Sequence, residues 1–346
     1  MSDFSEIREF LQRKDQQRAV LITLIDVEGS SYRKPGARMV VAADGEAAGA
    51  VSGGCLETML MAHALESIDQ TPHTFTIDTT LDSDMIFGHG LGCPGKLTFL
   101  VEPFEAGSEP PSLDAWRDVL HDRIRRVVVT ALDENGAPEL SSTIQTHSEA
   151  PEGESDSEAH RIARESDRSG LVRDGHKRWF VEVIDPPVRA VLIGSGLDVP
   201  PLKRLAEAAG LEVIQIANAK RAGVSCRIAA PEDVPDLAID SRTSVVVMTH
   251  NYLQDLGYLR ALVETSPMYL GVIGSKGRFE RLITDLESEG VALDKLARIA
   301  GPAGLDIGAE TPSQIALSVL AEIQSIAGGK PRIRGSETAR SRIASE

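Results

Sequence analysis

From residue 188 onward, short apolar runs typical of strands alternate regularly with segments patterned as helices. The predicted strands are 189–193, 212–217, 244–249 and 268–273, and the predicted helices are 199–209, 253–264, 276–289 and 312–326. Parallel strands need long crossover connections, which are usually helices, so strict alternation of this kind favours a parallel sheet covered by helices. The sequence therefore predicts a parallel-sheet α/β unit over residues 187–329.

A glycine loop, Gly194-Ser195-Gly196, joins the first of these strands to its helix. Glycines at such a junction let the backbone turn tightly and approach a phosphate, as in Rossmann-type folds. However, Val199 stands where dinucleotide-binding loops have a third glycine, and the second strand ends at Ala217 with no acid to hold a ribose. Three interpretations stay open: a nicotinamide site, a site for another phosphate-bearing ligand, and a purely structural turn.

Two further candidates lie where later strands of this unit end. His250 follows the valine-rich strand, at the edge where doubly wound sheets bind ligands. Gly274-Ser275-Lys276 follows the next strand and opens a helix, so its N-terminus and Lys276 together with Arg278 are candidates to bind an anion. The alternative for this second loop is an ordinary solvated helix start.

The N-terminal part predicts a mixed α/β domain over residues 1–186. Its predicted strands are 19–27, 37–43, 47–51, 74–78, 96–104, 127–131 and 179–184, the last of them closing a hairpin, and its helices are 56–68 and 112–123. We expect the later strands to complete the sheet of the earlier ones. An acidic stretch at 149–158 predicts a disordered insertion over about 148–168, and the polar tail 330–346 predicts further disorder.

Three cysteines occur, and two of them lie in glycine-rich loops. Cys55 follows Gly53 and Gly54 at the start of a predicted helix, a position that favours thiolate chemistry or sulfur transfer. Cys93 follows Gly92 in a second loop of this kind. A structural role is the alternative for each cysteine. No CxxC pair is present, so no structural zinc site is predicted, and the sparse cysteine count favours a reducing cytoplasm.

Charge and hydropathy exclude two classes of partner. The formal net charge is −16, from 52 acidic and 36 basic side chains, which disfavours nucleic acid because its phosphates require a basic surface. No apolar run approaches the roughly 18 residues that a membrane span requires. The N-terminus is charged and patterned as a helix, so we expect no secretory signal.

Several separated motifs, taken together in their order along the chain, resemble the XdhC/CoxI family of accessory proteins for molybdenum hydroxylases. The matching stretches are VEGSSYRKPGARM at 27–39, VSGGCLE at 51–57 and GLGCPGK at 90–96, followed by 245–251, 271–278 and 301–323 in the Rossmann-type half. The resemblance implies an N-terminal XdhC/CoxI-like domain over 1–186 and an XdhC Rossmann-type domain over 187–329.

The resemblance also implies a function. Such a protein binds the molybdenum cofactor (molybdopterin) as a transient ligand, holds it while a cysteine desulfurase supplies a sulfido ligand, and delivers it to an apo molybdenum hydroxylase such as xanthine dehydrogenase or carbon monoxide dehydrogenase. Family members are often homodimers. Cys55 is then the candidate contact to sulfur or metal. The residues expected to bind the cofactor are Gly53, Gly54, Cys55, Gly92, Cys93, Gly194, Ser195, Gly196, His250, Gly274, Ser275 and Lys276.

Two alternatives remain open beside this non-enzymatic chaperone. One is an NAD(P)-dependent oxidoreductase that uses the Gly194 loop, with His250 as its acid or base. The other is a sensor that binds a nucleotide through Gly194 and Gly274 without turnover.

Overall fold

The structure is a computed structural model, and it describes residues 2–14, 17–79, 95–134, 136–147, 158–174, 177–217 and 226–330. The chain divides into two compact units, Met1–Pro186 and Pro187–Glu346. Each unit has its own sheets and core.

The N-terminal unit is mixed α/β. Its elements are α1 (Ser2–Arg13), β1 (Ala19–Gly29), β2 (Arg38–Ala42), β3 (Ala47–Gly49), α2 (Glu57–Ser67), β4 (His73–Asp78), β5 (Gly95–Phe104), α3 (Pro111–Asp122), β6 (Arg126–Leu132), β7 (Pro138–His147), α4 (Glu158–Glu165), β8 (Gly170–Asp174) and β9 (Lys177–Ile184).

These strands form two antiparallel sheets, which corrects the expectation of a single one. The first has the order β3-β2-β1-β5-β4 and the second the order β7-β6-β9-β8. The long strand β1 pairs with β5 over its whole length, from Ala19 opposite Phe104 to Gly29 opposite Gly95. The predicted hairpin exists, because β8 and β9 pair antiparallel, but it belongs to the second sheet. Strand β7, which the sequence pattern did not reveal, completes that sheet.

Both faces of β1 are buried, and they face different helices. Val20, Ile22 and Leu24 contribute to a cluster with α2, whereas Ala19 and Leu21 contribute to one with α1 and α3. The second cluster also contains residues of β6 and β9. The helices and the second sheet therefore cover the two sides of the first sheet.

Part of the predicted disordered insertion is helical. The amphipathic helix α4 begins at Glu158, and its Ala159, Ile162 and Ala163 are buried in the core of the second sheet. Burial of this apolar face explains why the segment is ordered despite its polar composition. The rest of the acidic stretch, 149–157, lies outside the described residues, as does the tail from 331.

The C-terminal unit confirms the predicted Rossmann-type fold. Its elements are β10 (Arg189–Ile193), α5 (Val199–Ala208), β11 (Glu212–Ala217), β12 (Arg227–Ile228), a 3-10 helix (Pro231–Leu237), β13 (Thr243–Val247), α6 (Tyr252–Leu262), β14 (Tyr269–Val272), α7 (Lys276–Ser288), α8 (Leu293–Leu296), β15 (Ile299–Ala300) and α9 (Pro312–Ala327).

Within the described residues, its sheet has six parallel strands in the order β12-β11-β10-β13-β14-β15. In chain order this is 3-2-1-4-5-6, and the strand order reverses between β10 and β13. Alternate residues of β10 belong to two different clusters: Val191 and Ile193 to one, Ala190 and Leu192 to the other. The sheet is therefore covered on both faces, as parallel sheets require.

The last helix, α9, begins where its capping signal predicts. The Thr311 side chain accepts a hydrogen bond from the Gln314 backbone, and the Gln314 side chain accepts one from the Thr311 backbone. Pro312 occupies the first helical position, where its missing N–H costs nothing.

Candidate functional site

In the N-terminal unit, the segment 52–57 forms a braced loop at the start of α2. The buried hydroxyl of Ser52 accepts hydrogen bonds from the backbone N–H groups of Gly54 and Leu56, both at 3.2 Å, and donates to Glu57 Oε2 at 2.5 Å. The backbone N–H of Ser52 donates to the other carboxylate oxygen of Glu57 at 2.9 Å. The loop is therefore fixed by one hydroxyl and one carboxylate.

The state of Glu57 agrees with this role. Partial burial acts to raise the pKa of its carboxyl, but the hydrogen bonds that Ser52 and Leu56 donate outweigh it, so the pKa lies below its ordinary value. The carboxylate is thus ionised at neutral pH, which strengthens the bonds it accepts.

The braced loop presents a thiol. Cys55 is exposed, and its Sγ lies 3.7 Å from the Ser52 Oγ, within reach of a weak S–H donation. Gly53 packs beside the exposed ring of Tyr32, and Gly54 has a φ of +104°, a conformation that favours glycine. Gly53, Gly54 and Cys55 therefore lie in the braced loop, whereas Gly92 and Cys93 lie outside the described residues.

In the C-terminal unit, the loops after β10 and β13 meet where the strand order reverses. His250 Nε2 lies 2.8 Å from Asp198 Oδ2. The His250 side chain is 52% exposed and that of Asp198 is 11% exposed. His250 has a φ of +58°, which is uncommon for a residue with a Cβ and is a form of backbone strain that clusters at functional sites.

The glycine loop makes room for this pair. A Cβ on Gly196 would lie 2.6 Å from Asp198 Oδ1 and 3.0 Å from the His250 ring. A Cβ on Gly194 would lie 2.3 Å from the carbonyl oxygen of Met248. Gly194 thus permits the close approach of two strands, and Gly196 permits the packing of a carboxylate and an imidazole above the turn.

A second set of contacts fixes the backbone just before His250. The fully buried Asp255 accepts hydrogen bonds from the backbone and hydroxyl groups of Thr249, and it pairs with Arg278 Nη2 at 2.6 Å. Asn251 then caps α6 by accepting from the Gln254 backbone at 3.1 Å. These bonds hold the turn that contains His250.

The Gly274-Ser275-Lys276 loop does not join the His250 pair in the contacts that the structure describes. The Ser275 hydroxyl caps α7 by accepting from the Arg278 backbone, and Lys276 is largely exposed, with Glu280 at 4.0 Å. Arg278, which we expected to help bind an anion, is instead paired with Asp255. Of the sequence candidates in this unit, the structure brings together Gly196 and His250.

Sequence reasoning missed the acidic partners of both sites. In the sequence, Asp198 lies four residues after Gly194, and Glu57 lies two residues after Cys55. Glu57 ends the VSGGCLE stretch, but neither spacing by itself indicates a contact, so only the folded structure identifies the two acids as partners. Among the described residues no cluster of three or more His, Cys, Asp and Glu side chains is arranged to hold a metal ion. Within the same residues, no helix is both long and apolar enough to cross a membrane.

Comparison with known proteins gives consistent matches along the chain. A family model described as the XdhC and CoxI family matches residues 12–78, and one described as the XdhC Rossmann domain matches 190–323. A Bacillus subtilis (strain 168) protein, named as a probable xanthine dehydrogenase subunit, is 30% identical over 90% of this chain and 93% of its own length.

Two further similarities extend over most of the chain. The "Molybdenum cofactor insertion chaperone PaoD" of Escherichia coli (strain K12) is 27% identical over 89% of this chain and 83% of its own length. A crystal structure described as a xanthine dehydrogenase from Bacillus halodurans superposes with a TM-score of 0.75 at 28% identity and 98% coverage of both chains. These matches confirm the resemblance seen in the motifs, and the chain belongs to the XdhC and CoxI family.

Proposed function

We propose that this protein is a maturation chaperone that binds the molybdenum cofactor and inserts it into a molybdenum hydroxylase such as xanthine dehydrogenase. The observation that carries the proposal is the exposed thiol of Cys55, held in a loop that Ser52 and Glu57 brace. The names of the two similar proteins, one a cofactor insertion chaperone and the other a part of xanthine dehydrogenase, support the same role.

The chemistry of the loop suits a transient sulfur-bearing cargo. A thiolate is a soft ligand that binds transition metals and reacts with sulfur. One exposed thiol offers a single contact, in contrast to the several ligands of a permanent metal site, so the cargo can leave. Because Ser52 and Glu57 hold the backbone on either side, the thiol is presented with little loss of entropy on binding.

The sulfuration step is a finer part of the proposal. Cys55 would hold the cofactor while a cysteine desulfurase acts as the partner that supplies sulfur, and the cofactor would then pass to the apo hydroxylase. In this scheme the protein catalyses no reaction on a small substrate of its own.

The test compares the full-length wild type with Cys55→Ala and with Cys226→Ala, which removes a thiol from the other unit. Each purified protein is incubated with isolated cofactor, and bound molybdenum per chain is measured by mass spectrometry. Transfer to apo xanthine dehydrogenase is then followed by recovered activity. We expect stoichiometric binding by the wild type and by Cys226→Ala, and a loss of at least tenfold in affinity for Cys55→Ala.

Two results would contradict the proposal. If the wild type binds no cofactor, the chaperone function is wrong. If Cys55→Ala binds and transfers as well as the wild type, the thiol has no part in the mechanism.

A further inference from the structure

The Asp198–His250 pair occupies the place where a Rossmann-type fold binds a diphosphate. In dinucleotide-binding loops the second glycine lets the diphosphate approach the backbone. Here the second glycine is Gly196, and the space that its missing Cβ leaves is filled by Asp198 Oδ1 and the His250 ring. A carboxylate at this position repels phosphate, so the loop is unsuited to a dinucleotide.

The same carboxylate still has capacity to accept a hydrogen bond. Asp198 is buried, and its Oδ1 has no hydrogen-bond partner among the described residues. A carboxylate oxygen buried without a donor is costly. Since a carboxylate only accepts, the bond at Oδ2 places a proton on His250 Nε2. The site thus lacks one N–H donor.

His250 donates this hydrogen bond to Asp198 through its side chain, while its own backbone is strained. Its φ of +58° is held by the bonds of Thr249 to Asp255, which fix the preceding residue. Strain of this kind persists only where the surrounding structure maintains it.

A small cleft lies at the same edge of the sheet. Its apolar side is formed by Ile193, Ile216 and Ala217, and its polar side by Ser195, Thr249 and Gln254. Ser195 adjoins Gly196, and Thr249 adjoins His250, so the cleft borders the loops that carry the pair.

We propose that Asp198 is the acceptor of a subsite for the 2-aminopyrimidinone edge of a pterin, and that His250 fills this subsite as a displaceable placeholder in the free protein. This edge carries an amino N–H beside a ring N–H, and two parallel donors match the two oxygens of a carboxylate. Guanine has the same edge. The choice of pterin therefore rests on the proposed function, in which the cargo is a pterin cofactor.

When the pterin edge displaces His250, the Asp198 carboxylate accepts two hydrogen bonds in place of one. The free protein has one N–H on Oδ2 and none on Oδ1, whereas the bound form has a donor on each oxygen. His250 turns outward into solvent, to which it is already half exposed. Asp198 and His250 therefore have opposite effects on binding: the first creates the subsite and the second competes for it.

The test is a fluorescence titration of the full-length protein with neopterin, with guanosine and NAD⁺ as competing probes. We expect neopterin to bind the wild type, Asp198→Asn to weaken binding at least tenfold, and His250→Ala to tighten it severalfold. Asp294→Asn, which neutralises an exposed aspartate of the same unit, is expected to bind like the wild type. Thermal unfolding checks that each variant is folded, and His250→Ala keeps the test valid if Asp198→Asn is not.

The proposal is overturned if Asp198→Asn binds neopterin like the wild type, or if His250→Ala loses binding, because the imidazole would then be a ligand. Tighter binding of NAD⁺ than of neopterin would also overturn it, and preference for guanosine would overturn the choice of pterin. Cys55→Ala is expected to lose cofactor but keep neopterin. A failure of the subsite with normal cofactor binding through Cys55 would leave the proposed function standing.

Discussion

Gly194 and Met248, which directly follow the neighbouring strands β10 and β13, are in backbone contact. The N–H of Met248 donates to the carbonyl of Ile193 at 2.8 Å, and a Cβ on Gly194 would lie 2.3 Å from the Met248 carbonyl oxygen. Because this oxygen belongs to the backbone, it cannot move away by a change of rotamer as a side-chain atom can. This contact sets the separation of the two strand ends that carry Asp198 and His250.

Replacing Gly194 by alanine is therefore expected to destabilise the C-terminal unit by about 1–3 kcal/mol, as overpacking does elsewhere. The matched control is Gly277→Ala, because a Cβ there meets nothing within 4 Å and the residue lies in α7. Alanine is the better helix former, so the control should be neutral or more stable by up to about 1 kcal/mol. Calorimetric unfolding of both variants measures the difference, and equal melting temperatures would contradict the contact.

The second prediction concerns Ser52, whose hydroxyl accepts from the N–H groups of Gly54 and Leu56 and contacts the Cys55 thiol. Ser52→Ala removes these bonds, so we expect faster hydrogen exchange at both amides and weaker cofactor binding, while the thiol itself is retained. Thr58→Ala, which removes an exposed hydroxyl at the second residue of α2, is the control. Unchanged exchange in Ser52→Ala would show that the loop is held by other contacts.

These two loops also show how far the sequence alone could lead. Alternating strands and helices predicted the Rossmann-type unit, because periodicity and glycine punctuation are local signals. The glycine loops predicted that something approaches the backbone at Gly196, but not that the group is Asp198 of the same loop. That contact depends on the orientation of His250 across the sheet, which no local pattern records.

The N-terminal unit was harder to predict for a related reason. Its strands pair across long sequence separations, and membership of one sheet or another is decided by packing. Strand β9 pairs with β6 and β8, and no periodicity distinguishes this from pairing with β5. The helix α4 was missed because its composition is polar, although three residues of one face are buried.

The third prediction is a pH dependence that arises from Glu102 in this unit. Arg38 is fully buried, pairs with Glu182 and lies over the ring of Trp116. Burial raises the pKa of Glu102 to about 7 from its ordinary 4.5, against the opposing effect of the Arg38 charge. Between these two values the folded protein keeps a proton that the unfolded chain has lost, so stability falls as pH rises.

Glu102→Gln removes this titration. The stability of the variant relative to the wild type should therefore increase from pH 4.5 to about pH 7 and stay constant above it, by roughly 3 kcal/mol at most. Chemical denaturation at several pH values measures the difference, with Glu9→Gln, an exposed glutamate of α1, as the control. A difference that does not vary with pH would show that folding does not raise the pKa of Glu102.

The last prediction concerns Asp255, the fully buried carboxylate that bonds to Thr249 and pairs with Arg278. Asp255→Ala leaves a partly buried guanidinium and the Thr249 N–H without their partner, so we expect a loss of about 3–5 kcal/mol. In the double variant with Arg278→Met, part of this loss should be recovered, because the unpaired charge is gone.

Arg281→Met is the matched control for the arginine. Both guanidinium groups lie over the Tyr252 ring, at 5.6 Å for Arg278 and 5.3 Å for Arg281, but Arg281 is exposed and does not pair with Asp255. If the double-variant cycle with Arg281 gave the same coupling as that with Arg278, the ion pair would not be the cause. Asp255 also fixes Thr249, the residue before His250. Asp255→Ala should therefore relax the backbone at His250, and the amide signal of His250 should shift in nuclear magnetic resonance spectra.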